Sequence, residues 1–175
     1  MKSNYEVRAM KFAHTLVKLF DGCIDLGHFE DAIEMYNMTH TRQLKYANGV
    51  SRIAIIRSDY VIKFDYRPDH CWEDGRAGNC TSEAEIYARA IRDGYEYLLA
   101  KTTVCTINGL TFSIMPKIND VGDWHRDWRN YCTADEKEWL SENLNDLHSG
   151  NVGYKNNKVC VIDYAWDNYD KKLFA

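Results

Sequence analysis

Proline is nearly absent: Pro68 and Pro116 are the only two in 175 residues. Proline breaks helices and removes a sheet donor, so its scarcity predicts regular structure through most of the chain. An excess of positive charge is also missing. Lys and Arg number 22 against 26 Asp and Glu, a net charge of −4, which is no footprint of a nucleic-acid binder, and no nucleic-acid partner is expected. No run of 18 apolar residues occurs, so no membrane span is expected. No apolar signal segment follows Met1-Lys2-Ser3-Asn4-Tyr5. Cys23, Cys71, Cys80, Cys105, Cys132 and Cys160 form no C-x-x-C pair. The expectation is a cytoplasmic protein with reduced thiols. His70 and Cys71, with Cys80 nearby, lack the paired spacing of known zinc sites. What the chain does have is core material. Hydrophobic residues make up 45% and aromatic ones 13%, enough for a sizeable core and too much for a disordered tail.

Periodicity organises the chain. Val7, Met10, Ala13, His14 and Val17 recur at three and four residues and predict a helix over Tyr5 to Phe20, ended by Asp21-Gly22. Phe29, Ile33, Met35 and Tyr36 predict a second helix from Phe29 to Met38. From Ser51 the residues turn β-branched and aromatic. Ile53-Ala54-Ile55-Ile56 and Tyr60-Val61-Ile62, joined by Arg57-Ser58-Asp59, predict a hairpin. Asp69 to Cys80 is polar and glycine-containing, a predicted loop. Ser82 with Glu85 three residues on is a capping box, predicting a helix from near Ser82 to about Leu99 with Gly94 as its weak point. Asn108-Gly109 between Thr102–Ile107 and Leu110–Met115 predicts a second hairpin. A short helix is expected over Asp123 to Tyr131, and Thr133 with Glu136 caps another that runs to about Asn143. Asn156-Asn157 joins a last hairpin, Val152–Tyr154 with Val159–Ile162. Strands in adjacent pairs imply an antiparallel sheet and the α+β class.

Several polar residues stand where chemistry is possible. In Asp146-Leu147-His148-Ser149-Gly150-Asn151 an acid and an amide lie five apart, and Asp163 follows twelve later at the end of an apolar strand. The oxygens of Asn151 and Asp163 suit a hard cation such as Mg²⁺. Asp146 suits the orientation or deprotonation of a hydroxyl. The same letters also describe a solvated turn. Lys63 ends the strand Val61-Ile62-Lys63, where a lysine is ordinarily solvated. Twenty residues on, Glu83 precedes Ile86, Tyr87 and Ala90 and so lies on the inward face of its helix, whereas Glu85 shares a face with Arg89 and Arg92.

Taken in order, these residues resemble the protein-kinase fold. Lys63 matches the strand-three lysine, and Glu83 the helix glutamate that pairs with it. Asp146 and Asn151 resemble the polar residues of the catalytic loop, and Asp163 the metal-binding aspartate of the Asp-Phe-Gly segment. The loop Asp-Leu-His-Ser-Gly-Asn is most similar to aminoglycoside-phosphotransferase-type and small bacteriophage kinases. Gly49-Val50-Ser51-Arg52 resembles a phosphate-loop segment, and Phe112-Ser113-Ile114-Met115-Pro116-Lys117 would run along the adenine site with Met115 at the hinge entry. The resemblance spans about Tyr46 to Trp166. It implies ATP and Mg²⁺ as cofactors. It also implies three segments: a helical extension over 1–40, a kinase-like N-lobe with an antiparallel sheet over 41–118, and a reduced C-lobe with catalytic loop and metal-site hairpin over 119–175.

Departures leave the function open. Ala47 and Asn48 stand where the family has more glycine, Leu144-Asn145 precedes Asp146, and Tyr164-Ala165 replaces Phe-Gly. Twelve residues follow Asp163, giving no room for an activation segment or the large substrate-binding helices. One reading is a minimal phosphotransferase acting on a host protein or on itself. Another is a pseudokinase that docks on a host macromolecule, with Trp124, Trp128, Tyr131 and Trp139 as its surface, although the same aromatics suit the cover of a small core better. A third is a small-molecule phosphotransferase of the aminoglycoside type, which lacks the helices for an acceptor pocket.

Overall fold

The computed structural model describes residues 3–21, 25–49, 51–66, 79–121 and 126–165. Ser3 caps helix α1 (Asn4–Phe20). Its hydroxyl accepts from the Glu6 N–H while the Glu6 carboxylate accepts from the Ser3 N–H at 2.6 Å, so two orphan donors are met at once. The buried stripe is Ala9, Ala13, Leu16, Val17 and Phe20. It is turned from the expected one: Val7 is 42% exposed and His14 is exposed. Leu16 and Phe20 carry more apolar surface than Val7 and Met10, and burying them sets the rotation. Helix α2 (Leu26–Thr39) starts at an Asp25 cap and buries Phe29, Ala32 and Ile33.

Five antiparallel strands follow: β1 (Lys45–Asn48), β2 (Arg52–Ile56), β3 (Tyr60–Asp65), β4 (Thr103–Ile107) and β5 (Leu110–Pro116), in the order β1-β2-β3-β5-β4. Register aligns Ile53 with Phe64 and Phe64 with Phe112, and Ile55 with Ile62 and Ile62 with Ile114. These residues share a core with α1 and α2, where Phe20 meets Phe64 edge-on at 5.2 Å and Phe29 at 4.4 Å. Side chains alternate across a strand, so the helices cover one face and leave Arg52, Ala54, Lys63, Asp65, Ser113 and Met115 on the other. The Asn108-Gly109 turn has positive φ at both residues, 50° and 82°. That backbone matches the twist of the strands it joins. Strand β1, half polar and exposed, was not expected.

Helix α3 (Cys80–Asp93) begins earlier than the Ser82–Glu85 box suggests, and Ser82 lies inside it. The reason is a partner distant in sequence. The buried Asp65 carboxylate accepts from the Cys80 N–H at 3.0 Å, meeting an end-group that a local cap would otherwise serve. The helix stops at Asp93, not Leu99. Gly94 takes φ 81°, and the Tyr95 N–H returns to the Ala90 carbonyl at 2.8 Å. A 3₁₀ turn, Glu96–Leu98, follows.

Helix α4 (Ala134–Asn143) has the expected Thr133–Glu136 capping box. Strands β6 (Asp120–Val121), β7 (Val152–Lys155) and β8 (Lys158–Val161) form a small antiparallel sheet. The β7–β8 turn holds Asn156 and Asn157 at φ 54° and 60°. Of the helix expected over Asp123–Tyr131, residues 122–125 lie outside the described ones, and the rest is a 3₁₀ turn, Trp128–Tyr131. The second core is Ile86, Ala90, Leu98, Leu99, Trp128, Trp139, Leu140, Val152, Val159 and Val161 among others.

The class is α+β, with an antiparallel sheet and a helix after its third strand. Two compact units divide the chain, one of Met1–Cys80 with Thr103–Lys117 and one of Thr81–Thr102 with Ile118–Ala175. Helices α1 and α2 share the first core with the sheet, and most of α3 belongs to the second unit. Among the described residues no helix is long and apolar enough to cross a membrane.

Candidate active site

In the first unit Lys63 sits mid-sheet, opposite Ala54 on β2 and Ser113 on β5. It is only 6% exposed, and Arg52, Asp65 and Ser113 on the same face are buried too. The solvated strand-end lysine is therefore not what folds. A buried ammonium is rare and requires polar company, and Arg52, Asp65 and Ser113 on this face supply it. The Lys63 carbonyl also accepts from the Cys80 thiol at 3.3 Å. Met115 is opposite Val61, so it shares the face of Lys63 and not the helix-side core, and it is buried.

Gly49 lies in the turn between β1 and β2. Its N–H donates to the Arg52 carbonyl at 2.8 Å, and its carbonyl accepts from the Tyr66 hydroxyl. A Cβ there would rest 3.6 Å from the Arg52 carbonyl oxygen, an ordinary contact. The turn's own geometry does not demand glycine.

In the second unit the Asp146–Asn151 loop closes on itself. The Asn151 side-chain amide donates to the Asp146 carbonyl at 2.8 Å and to its carboxylate at 3.4 Å. The His148 ring lies 3.8 Å from the other Asp146 oxygen and accepts from the Gly150 N–H at 3.0 Å. A Cβ at Gly150 would come within 2.9 Å of that ring, so the exposed His148 side chain would have to shift. The loop is tied to the strand beyond it: the Ile162 N–H donates to the Asn151 carbonyl at 2.8 Å. Asp163, the next residue, is exposed. The three oxygen-bearing residues expected to group are thus carried by one loop and the strand end bonded to it.

The Asn151 side-chain nitrogen is engaged by Asp146, which leaves Oδ1 as the amide's acceptor atom. With the Asp163 carboxylate that makes two hard oxygen donors, which fits Mg²⁺. Among the described residues no three His, Cys, Asp or Glu side chains cluster as a metal site.

Glu83, on α3, is fully buried in line with Ile86 and Ala90, while Glu85 is exposed, as the spacing predicts. Sequence reasoning missed Tyr164. Its hydroxyl donates to the Ala100 carbonyl and, at 2.8 Å, to the Thr102 hydroxyl. Burial first, and then the Glu83 carboxylate, hold its pKa well above the usual tyrosine value. The signal available was a hydroxyl at the position where the family has Phe. Arg52, Asp65 and Ser113 were missed as well, since only strand register puts them on the face of Lys63.

Two of the four aromatics considered for docking are core residues. Trp128 and Trp139 are buried in the second core, where Trp139 stacks on Tyr95 at 5.3 Å and donates to Asp93 at 2.9 Å. Tyr131 is exposed, and Trp124 lies outside the described residues. His70 and Cys71 also lie outside them, and the Cys80 thiol is already bonded to a carbonyl.

No protein-family model matches the chain, and no curated protein matches it. Among solved structures, it is similar to the co-crystal structure of WbdD and a kinase inhibitor, with TM-score 0.44 and 15% identity, over 76% of this chain and 36% of that one. The chain spans about a third of the length of the protein it matches.

Proposed function

We propose that the chain is a minimal, phage-type kinase: an ATP- and Mg²⁺-dependent phosphotransferase that modifies a protein hydroxyl, on a host protein or on itself, in the cytoplasm. The observation that carries the reading is the closed Asp146–Asn151 loop, bonded through its Asn151 carbonyl to the residue before Asp163. Buried Lys63 and buried Glu83 support it, because each is a charge that folding would otherwise exclude.

In this reading Lys63 holds the α- and β-phosphates, Glu83 pairs with it, and Gly49 and Met115 contribute backbone to the phosphate and adenine ends. Asn151 and Asp163 hold Mg²⁺, which supplies charge neutralisation on the phosphates. Asp146 accepts the proton of the acceptor hydroxyl as its oxygen bonds to the γ-phosphorus. The bond from that phosphorus to the β–γ bridging oxygen breaks, and ADP leaves.

The test is transfer from radiolabelled ATP in cell lysate. Asp163 is exposed, so Asp163→Ala should fold and lose transfer by about a hundredfold or more. Equal labelling by wild type and variant would sink the proposal and return weight to a pseudokinase that binds a host macromolecule.

A further inference from the structure

Away from Lys63, the first unit has a cavity of about 430 Å³ lined by Arg8, Arg42, Arg57, Ser58, Asp59 and Tyr60. Three guanidinium groups and one carboxylate share this space, a local charge of +2 in a chain whose net charge is −4.

Two are held by the protein. Arg8, on α1, pairs with the Asp59 carboxylate, whose other oxygen accepts from the Ser58 hydroxyl at 3.1 Å. Arg57 lies over the Phe12 ring, 4.6 Å from its centre. The backbone beneath is fixed as well, by the Arg57 N–H to the Tyr60 carbonyl at 2.9 Å and the Lys117 N–H to the Asp59 carbonyl at 3.0 Å.

Arg42 differs. It makes no ion pair or hydrogen bond with any described residue, yet its loop is clamped at both ends. His40 stacks on Tyr36 at 3.8 Å, and the Asn37 side chain both accepts from the Leu44 N–H at 2.6 Å and donates to the Leu44 carbonyl at 3.1 Å. The loop thus brings a third cation to a cavity that already has a surplus of positive charge.

We propose that this cavity binds a dianionic phosphate ester, carried by a small phosphorylated molecule or by a phosphorylated side chain. Two negative charges balance the surplus, and a lone carboxylate does not. Planar guanidinium forks match tetrahedral phosphate oxygens in pairs. The volume exceeds that of a bare phosphate and lies in the range of small-ligand pockets. The inference is independent of the phosphotransferase reading.

The experiment is calorimetric titration of the full chain with inorganic phosphate, a sugar phosphate, and a phosphoserine peptide beside its unphosphorylated form. All three phosphate-bearing probes are expected to bind, more weakly as salt is raised, and the unphosphorylated peptide is not. A peptide that outbinds the sugar phosphate assigns the group to a side chain, and the reverse assigns it to a small molecule; both support the site. Arg42→Ala, at an exposed position with no partner among the described residues, is expected to weaken binding about tenfold, and Arg42→Lys less. Failure of every phosphate probe to bind, or indifference to Arg42→Ala, would overturn the proposal.

Discussion

Glu136 is held by several neighbours at once. Burial disfavours its charged form, but the Thr133 N–H at 2.6 Å, the Tyr97 hydroxyl at 2.9 Å and the Lys158 ammonium outweigh that, and its pKa lies below the usual glutamate value. The same contact, added to burial of the hydroxyl end, pushes the Tyr97 phenol up to about 12. A carboxyl whose pKa is lower folded than unfolded stabilises the fold above its unfolded value, about 4.3, and this contribution is lost as pH falls through the folded value. Glu136→Gln is therefore expected to lower the urea midpoint at pH 7, with the gap to wild type closing as pH drops below about 4. A gap that stayed constant down to pH 3 would mean that the charge of Glu136 contributes nothing. At this scale the candidate site was partly legible. Glu83 and Glu85 separate by helical spacing alone, whereas Arg52, Asp65 and Ser113 are polar letters in apolar strands, and only their cross-strand partners show that they surround a buried lysine.

Elements with a local cause were the ones that sequence foretold. The Thr133–Glu136 box and the Asn108-Gly109 and Asn156-Asn157 turns each contain their own instruction, and each is found. Elements with a distant cause were misjudged. Helix α3 starts where Asp65 on β3 meets its first N–H, and β1 and β6 are strands because of their neighbours, not their composition. Gly109 separates backbone strain from packing. Its φ is 82° and a Cβ there would meet nothing within 4 Å, so Gly109→Ala charges only the left-handed backbone, about 1 kcal/mol. Chemical denaturation should show that loss with an unchanged m-value. A loss several times larger would mean that the turn nucleates more of the sheet than its two strands.

For the whole molecule, the division into units follows from sheet order and not from chain order. The hairpin β4–β5 pairs with β3 after α3 has intervened, so each compact unit takes two pieces of chain, and the breaks after Cys80 and Thr102 could not be read from a linear pattern. The residues assigned to nucleotide are dispersed in the same way, from Gly49 and Lys63 to Asn151 and Asp163. A ligand that binds only the folded arrangement must stabilise it by mass action, about 2.7 kcal/mol when its concentration is a hundred times Kd. For a chain of this length that is a rise of several degrees in Tm. ATP with Mg²⁺ is expected to produce that rise, Asp163→Asn to remove most of the part that depends on Mg²⁺, and Arg42→Ala to leave it intact. The last comparison separates nucleotide from the arginine-lined cavity, since a phosphate bound only there would give the opposite pattern. A flat melting curve in ATP and Mg²⁺ would contradict a nucleotide site, and with it the roles assigned to Lys63 and Asp163.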